Sequence, residues 1–174
     1  KEWSDLESFR TPDAALTVDV DAINAFCRGT DQFVLAGTLV RPFERLGFLR
    51  TMEQALVDTA ERRPEFVELL RRMHEHYLSE VEVWARTDVD AIMLMDDWGM
   101  QSGMLVSPLV FRTYFKPMYE DYAAIARRHG KYVFMHSDGH IIDIMDDLIE
   151  LGVQALNSQV ACMGGPALLG RRFR

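Results

Sequence analysis

The chain has 174 residues and carries 19 Lys and Arg against 27 Asp and Glu, for a net charge of −8. That balance argues against nucleic acid or an anionic membrane as the main partner and favours a small-molecule substrate. An apolar content of 48% excludes disorder as the default, and no apolar run approaches the roughly 20 residues of a membrane span.

Residues 1–31 are polar, with TPDAA (11–15) as a turn signal and VDVDAINAFC (18–27) as a short helix. QFVLAGTLV (32–40) is a continuous apolar run, the pattern of a strand buried on both faces. GFLRTMEQALVDTAER (47–62) reads as one helix. Pro64 opens the next, with Glu65 and Glu68 near its positive end. There Phe66, Leu70, Met73, Tyr77, Val81 and Trp84 recur at steps of three and four, which makes one buried face.

DAIMLMDD (90–97) is the second strand, apolar until it ends in two carboxylates. Ser107 and Pro108 cap and open a helix that Pro117 should kink or split and Gly130 should close. KYVFMHS (131–137) is a strand, IIDIMDDLIELG (141–152) a helix and VQALNSQ (153–159) a strand. Apolar strands joined by amphipathic helices pair in parallel through right-handed crossovers. The alternatives are a (β/α) barrel and an open doubly wound sheet. No glycine-rich phosphate loop follows any strand, which disfavours the nucleotide-binding form of the latter.

Polar groups gather at every strand end: Asp96, Asp97 and Trp98; His136, Asp138 and His140; Asn157 and Gln159. A barrel enzyme builds its site there. His136 and Asp138, two apart on an extended backbone, face the same way and could share a metal ion. Asp96 and Asp97 face opposite ways, so at most one enters the barrel mouth and the other bonds a neighbouring loop. His74 and His76 diverge by about 200° on a helix and are read as solvated rather than as ligands. Met100 and Met104 could line an apolar pocket beside Asp97.

The segments DDWGMQSGMLVSPLVFRTYFKPMYEDY and HGKYVFMHSDGHIIDIMDDLIELGVQALNSQ resemble, in content and order, the uroporphyrinogen decarboxylase superfamily. The likeness spans residues 33–159 and implies a TIM (β/α)8 barrel of which this chain is a middle portion. A full barrel takes about 250 residues. Lys at position 1 and the ending GRRFR agree with a piece of a longer protein. One branch of the superfamily decarboxylates a porphyrinogen without a cofactor. The other comprises corrinoid-linked methyltransferases, in which zinc activates a thiol acceptor and a His-x-Cys strand end supplies two ligands. Here His136 keeps the first of these and Asp138 stands at the second. Thr38 aligns with the mid-chain catalytic tyrosine of the decarboxylases, and Asp97 stands in place of a serine.

The leading expectation is therefore a methyltransferase-like enzyme, with Asp97 and His136 catalytic and a zinc ion at His136 and Asp138. Asp96, Trp98, Gln101, His140, Asn157 and Gln159 are expected to bind substrate, and a corrinoid would come from a partner protein. The alternatives are a decarboxylase, which needs no cofactor, and a non-catalytic corrinoid- or metal-binding scaffold. Cys27 and Cys162, far apart and without C-x-x-C spacing, imply reduced thiols and a cytosolic protein. The oligomeric state stays open, a homodimer included.

Overall fold

A computed structural model describes residues 2–12 and 16–173. The expected turn at 11–15 falls largely on residues 13–15, outside the described residues. Four strands, β1 (Leu35–Gly37), β2 (Ala91–Met95), β3 (Tyr132–Ser137) and β4 (Ala155–Ser158), form one parallel sheet in the order β1-β2-β3-β4. Each crossover advances one strand in the same direction. A doubly wound sheet would reverse direction at some point and place helices on both faces. This sheet is wound as a barrel wall is.

The helices follow from their caps and breaks. The Asp19 carboxylate accepts from Ala22 N–H and opens α1 (Val20–Arg28). The single helix expected over 47–62 is two, α2 (Pro42–Arg50) and α3 (Met52–Glu61). Between them Thr51 adopts a φ of 77°, and its hydroxyl accepts from Gln54 N–H to cap α3. The apolar period runs through this corner because both helices bury their faces, which is why it reads as one helix. A buried ion pair, Arg50 Nε to Asp58 Oδ2 at 2.8 Å, braces the corner.

In α4 (Pro64–Ala85) the expected stripe is buried at Phe66, Leu70, Met73, Tyr77 and Val81, while Trp84 is only partly covered. Ser107 caps α5 (Pro108–Val110) through Val110 N–H. Pro117 has the predicted effect in a particular form. A π-helical turn at Phe111–Phe115 precedes α6 (Lys116–Arg128), so the ring falls in a first turn where no N–H is missed. Gly130 closes α6 at φ 69°. After β3 a 3-10 turn (Ile142–Ile144) leads into α7 (Met145–Leu151), which Gly152 ends at φ 83°. A 3-10 turn (Val160–Met163) and α8 (Pro166–Arg172) follow β4.

Strand β1 is shorter than the apolar run around it. Beyond Gly37 the Thr38 hydroxyl donates to Met93 C=O at 2.6 Å and takes over from the ladder amide. Alternation along the strands sorts the two sheet faces. Ile92, Leu94, Val133 and Met135 are buried under the helices with Phe43, Phe66, Tyr119 and Tyr122. Met93, Met95, Phe134 and His136 point the other way, to the barrel lumen, where Met95, His136 and Asn157 share one register row.

Asp96, the first residue past β2, continues the helical side. It is fully buried, and its carboxylate accepts from Phe43 N–H, Glu44 N–H and Tyr119 O–H, each at 2.7 Å. Burial raises its pKa from 3.8 to about 7, against the pull of those three donors. A folded-state pKa above the unfolded one means that folding favours the protonated form. The associated stability is complete below about pH 4 and is lost as the pH rises through about 7. The stability advantage of the wild type over Asp96→Asn should therefore shrink between about pH 4 and about pH 7, read from urea midpoints. A constant difference would show that this carboxyl does not titrate on folding.

Candidate metal centre

Asp97, His136 and Asp138 converge at the carboxyl end of β2 and β3, each offering a ligand atom within 4.8 Å of the others. His136 Nε2 lies 3.7 Å from Asp97 Oδ1 and 3.9 Å from Asp138 Oδ1. Its other ring nitrogen, Nδ1, is 2.6 Å from Asn157 Oδ1 on β4. An amide oxygen only accepts, so Nδ1 carries the hydrogen and Nε2 faces two carboxylates. A cation held at Nε2 would be attracted by both carboxylates. Ligand atoms around a tetrahedral ion with bonds of about 2.0–2.1 Å lie about 3.3 Å apart. The two spacings from Nε2 are wider than this, so the carboxylates would have to draw in around an ion, and one imidazole with two carboxylates is a donor set that a divalent cation accepts.

The expected site residues divide by depth. Asp97 enters the mouth, but Asp96 bonds the first turn of α2 and Tyr119 of α6 rather than a loop, and is thereby unavailable to a substrate. Trp98 is corrected likewise: it has 0% exposure, stacks on Phe43 at 4.6 Å and meets Phe111 and Phe115 edge-on. The ladder to β3 continues past Asp97, so Trp98 keeps the alternation of Ile92, Leu94 and Asp96 and the indole joins the core.

Asn157 is exposed but is engaged by His136. His140 is half-buried, with Nδ1 2.8 Å from Cys162 C=O, while Gln101 and Gln159 are exposed on the loops after β2 and β4. Met100 is exposed and Met104 packs against the core. Thr38 is 2% exposed, its hydroxyl held by Met93 C=O. His74 is not a solvated histidine. It bridges Tyr122 O–H and Asp121 Oδ2, each at 3.0 Å.

Sequence reasoning missed Glu44, in the first turn of α2. Its N–H is held by Asp96, and its carboxylate accepts from the backbone of Asp97. Burial, and then the Asp97 charge, push its pKa above the ordinary carboxyl value, while Arg41 at 4.0 Å pulls it down. An acid in the first turn of a helix that follows a strand end was the available signal.

A family model described as Uroporphyrinogen decarboxylase (URO-D) matches residues 1–161. The chain belongs to the URO-D family. A solved structure, a methyltransferase from Methanosarcina mazei, superposes with a TM-score of 0.64 at 18% identity, over 88% of this chain and 43% of that one. At that identity the likeness shows the fold: this URO-D chain is part of a TIM barrel and spans less than half the length of that structure. No curated protein matches the sequence. Among the described residues, no helix of this URO-D family member is long and apolar enough to cross a membrane.

If Trp98 is core rather than a substrate contact, Trp98→Ala should lower stability by about 3–5 kcal/mol. Chemical denaturation reads this directly. A loss of less than about 1 kcal/mol would return the indole to the surface of the site.

Proposed function

We propose that this chain forms part of the active site of a methyltransferase-like URO-D enzyme in which Asp97, His136 and Asp138 hold a divalent cation, zinc first among them. The observation that carries this is the orientation of His136, whose Nδ1–H is spent on Asn157 while Nε2 looks onto two carboxylates. A ligating histidine anchored through its other nitrogen is the usual arrangement around a metal. When bound, the ion would act as a Lewis acid that lowers the pKa of a methyl acceptor such as a thiol. Asp97 and Asp138 would balance its charge, and Asn157 would fix the imidazole's tautomer and tilt. Gln101, His140 and Gln159 lie on the loops at this rim and would contact the substrate. The methyl group would come from a corrinoid on a partner protein or from a methoxylated small molecule.

A second reading, a carboxy-lyase acting on a tetrapyrrole precursor without a cofactor, draws support from the description of the matching family model. In it the charge at Nε2 is a proton. His136 would serve as a general acid and Asp97 would accept pyrrole N–H groups.

Metal content separates the two readings. Full-length protein purified without chelator should carry about one equivalent of metal, and His136→Ala should lose most of it. Asp138→Cys should hold zinc as well or better, because a thiolate is the softer ligand. If elemental analysis finds no metal and added Zn2+ does not bind, the methyltransferase-like reading falls and the proton-donor reading takes its place.

A further inference from the structure

The loops after β2 and β3 meet main chain against main chain at two glycines. A Cβ on Gly99 would lie 2.4 Å from His140 N, 2.6 Å from Gly139 C and 2.8 Å from Asp138 O. A Cβ on Gly139 would lie 2.3 Å from Gly99 C and 2.4 Å from Gly99 O. Real side chains do not come so close, and the neighbours are main chain that cannot swing aside. Gly139 also sits at φ 80°, where an L side chain is strained. By contrast, a Cβ on Gly103, at the far end of the same β2 loop, would meet nothing within 4 Å.

Around this contact the hydrogen bonds carry the parallel ladder past the strand ends. Asp96 N–H donates to His136 C=O at 3.0 Å, and Trp98 N–H to the Ser137 hydroxyl at 3.1 Å. Gly99 N–H donates to Asp138 C=O at 3.1 Å, and His140 N–H to Met100 C=O at 2.7 Å. Asp138 N–H donates to Asp97 Oδ1 at 2.8 Å, so a carboxylate of the site is itself part of the lacing. Loops that normally move independently are here sewn together across the residues that the site uses.

We propose that Gly99 and Gly139 are positioning residues of the candidate metal centre: their backbone contact locks the two loops into one piece and sets the separation of Asp97 and Asp138. The site is then preformed before a cation arrives, and any side chain at either glycine wedges the two carboxylates apart. The consequence for binding rests on the metal reading above, while the locking itself does not.

The test therefore has two arms. In the first, wild-type full-length protein is followed by amide hydrogen exchange. The amides of Gly99, Asp138 and His140 should exchange as one unit, with rate differences after intrinsic correction of less than about threefold. Spreads beyond about tenfold would overturn the locking. This arm needs no variant and reads the same whether or not metal binds.

In the second arm Co2+ is titrated into wild type, Gly99→Ala, Gly139→Ala and Gly103→Ala, with urea midpoints measured alongside. The first two should lose about 10–100-fold in Co2+ affinity, the range seen when groups that orient metal ligands are removed. Gly103→Ala should bind as wild type does. Equal affinity in all four proteins would overturn the positioning role. So would a loss at Gly99→Ala and Gly139→Ala that Gly103→Ala shares. A wild type that takes up no Co2+ would defeat the metal reading, leaving the exchange arm to decide the locking.

Discussion

The buried carboxylate of Asp96 is the constraint on which the rest of this half of the barrel depends. It satisfies two N–H groups at the start of α2, which have no partner inside the helix, and takes the Tyr119 hydroxyl from α6. One side chain thus joins the end of β2 to the helices on either side of it. Its burial would be costly without those donors, and the donors would be stranded without it. Because alternate residues face alternate ways, fixing Asp96 toward the helices obliges Asp97 to face the mouth. The site is a consequence of the pin behind it.

The same pin shapes the electrostatics. Asp96 holds the backbone of Glu44, and Asp97 N–H reaches the Glu44 carboxylate, so that a third acid stands beside the cluster. Burial and the Asp97 charge both disfavour ionised Glu44, and Arg41 offsets them only in part. Several acids crowded around one imidazole make a region that gains from any added cation. Buried ionisable groups with opposing neighbours gather at functional sites. On α7, by contrast, Asp147 is paired with Arg112 and Lys116.

Legibility followed the physics of each feature. Strand existence and direction could be read because apolar runs broken by amphipathic helices leave few topologies, and the polar strand ends then fell on one rim. The common facing of His136, Asp97 and Asp138 is legible because alternation makes facing computable from spacing alone. Trp98 and Asp96 share the helical side with Ile92 and Leu94 by the same alternation, but a polar strand end reads as site, and the partners that hold them, Phe43, Phe111 and Phe115 for the indole and α2 and Tyr119 for the carboxylate, lie far away in the sequence. The corner at Thr51 was invisible for a related reason: its hydroxyl caps a helix while the apolar period continues through it. Glu44 lies in a different βα unit from Asp97, and only the folded sheet brings the two together.

At Asp138 the main chain and the side chain have separate partners. Its N–H and C=O belong to the lacing between the loops, bonded to Asp97 Oδ1 and Gly99 N–H, while its carboxylate alone faces His136. The frame is thus carried by main-chain atoms that any residue at this position would supply, with Gly139 beside it providing the left-handed turn. Only the donor atom is left to vary. An oxygen there makes the set harder and a sulfur makes it softer, without a change in loop path. A thiolate in place of the Asp138 carboxylate would therefore leave the geometry around His136 standing, because that geometry is held by the backbone and by Asn157 rather than by the exchanged side chain.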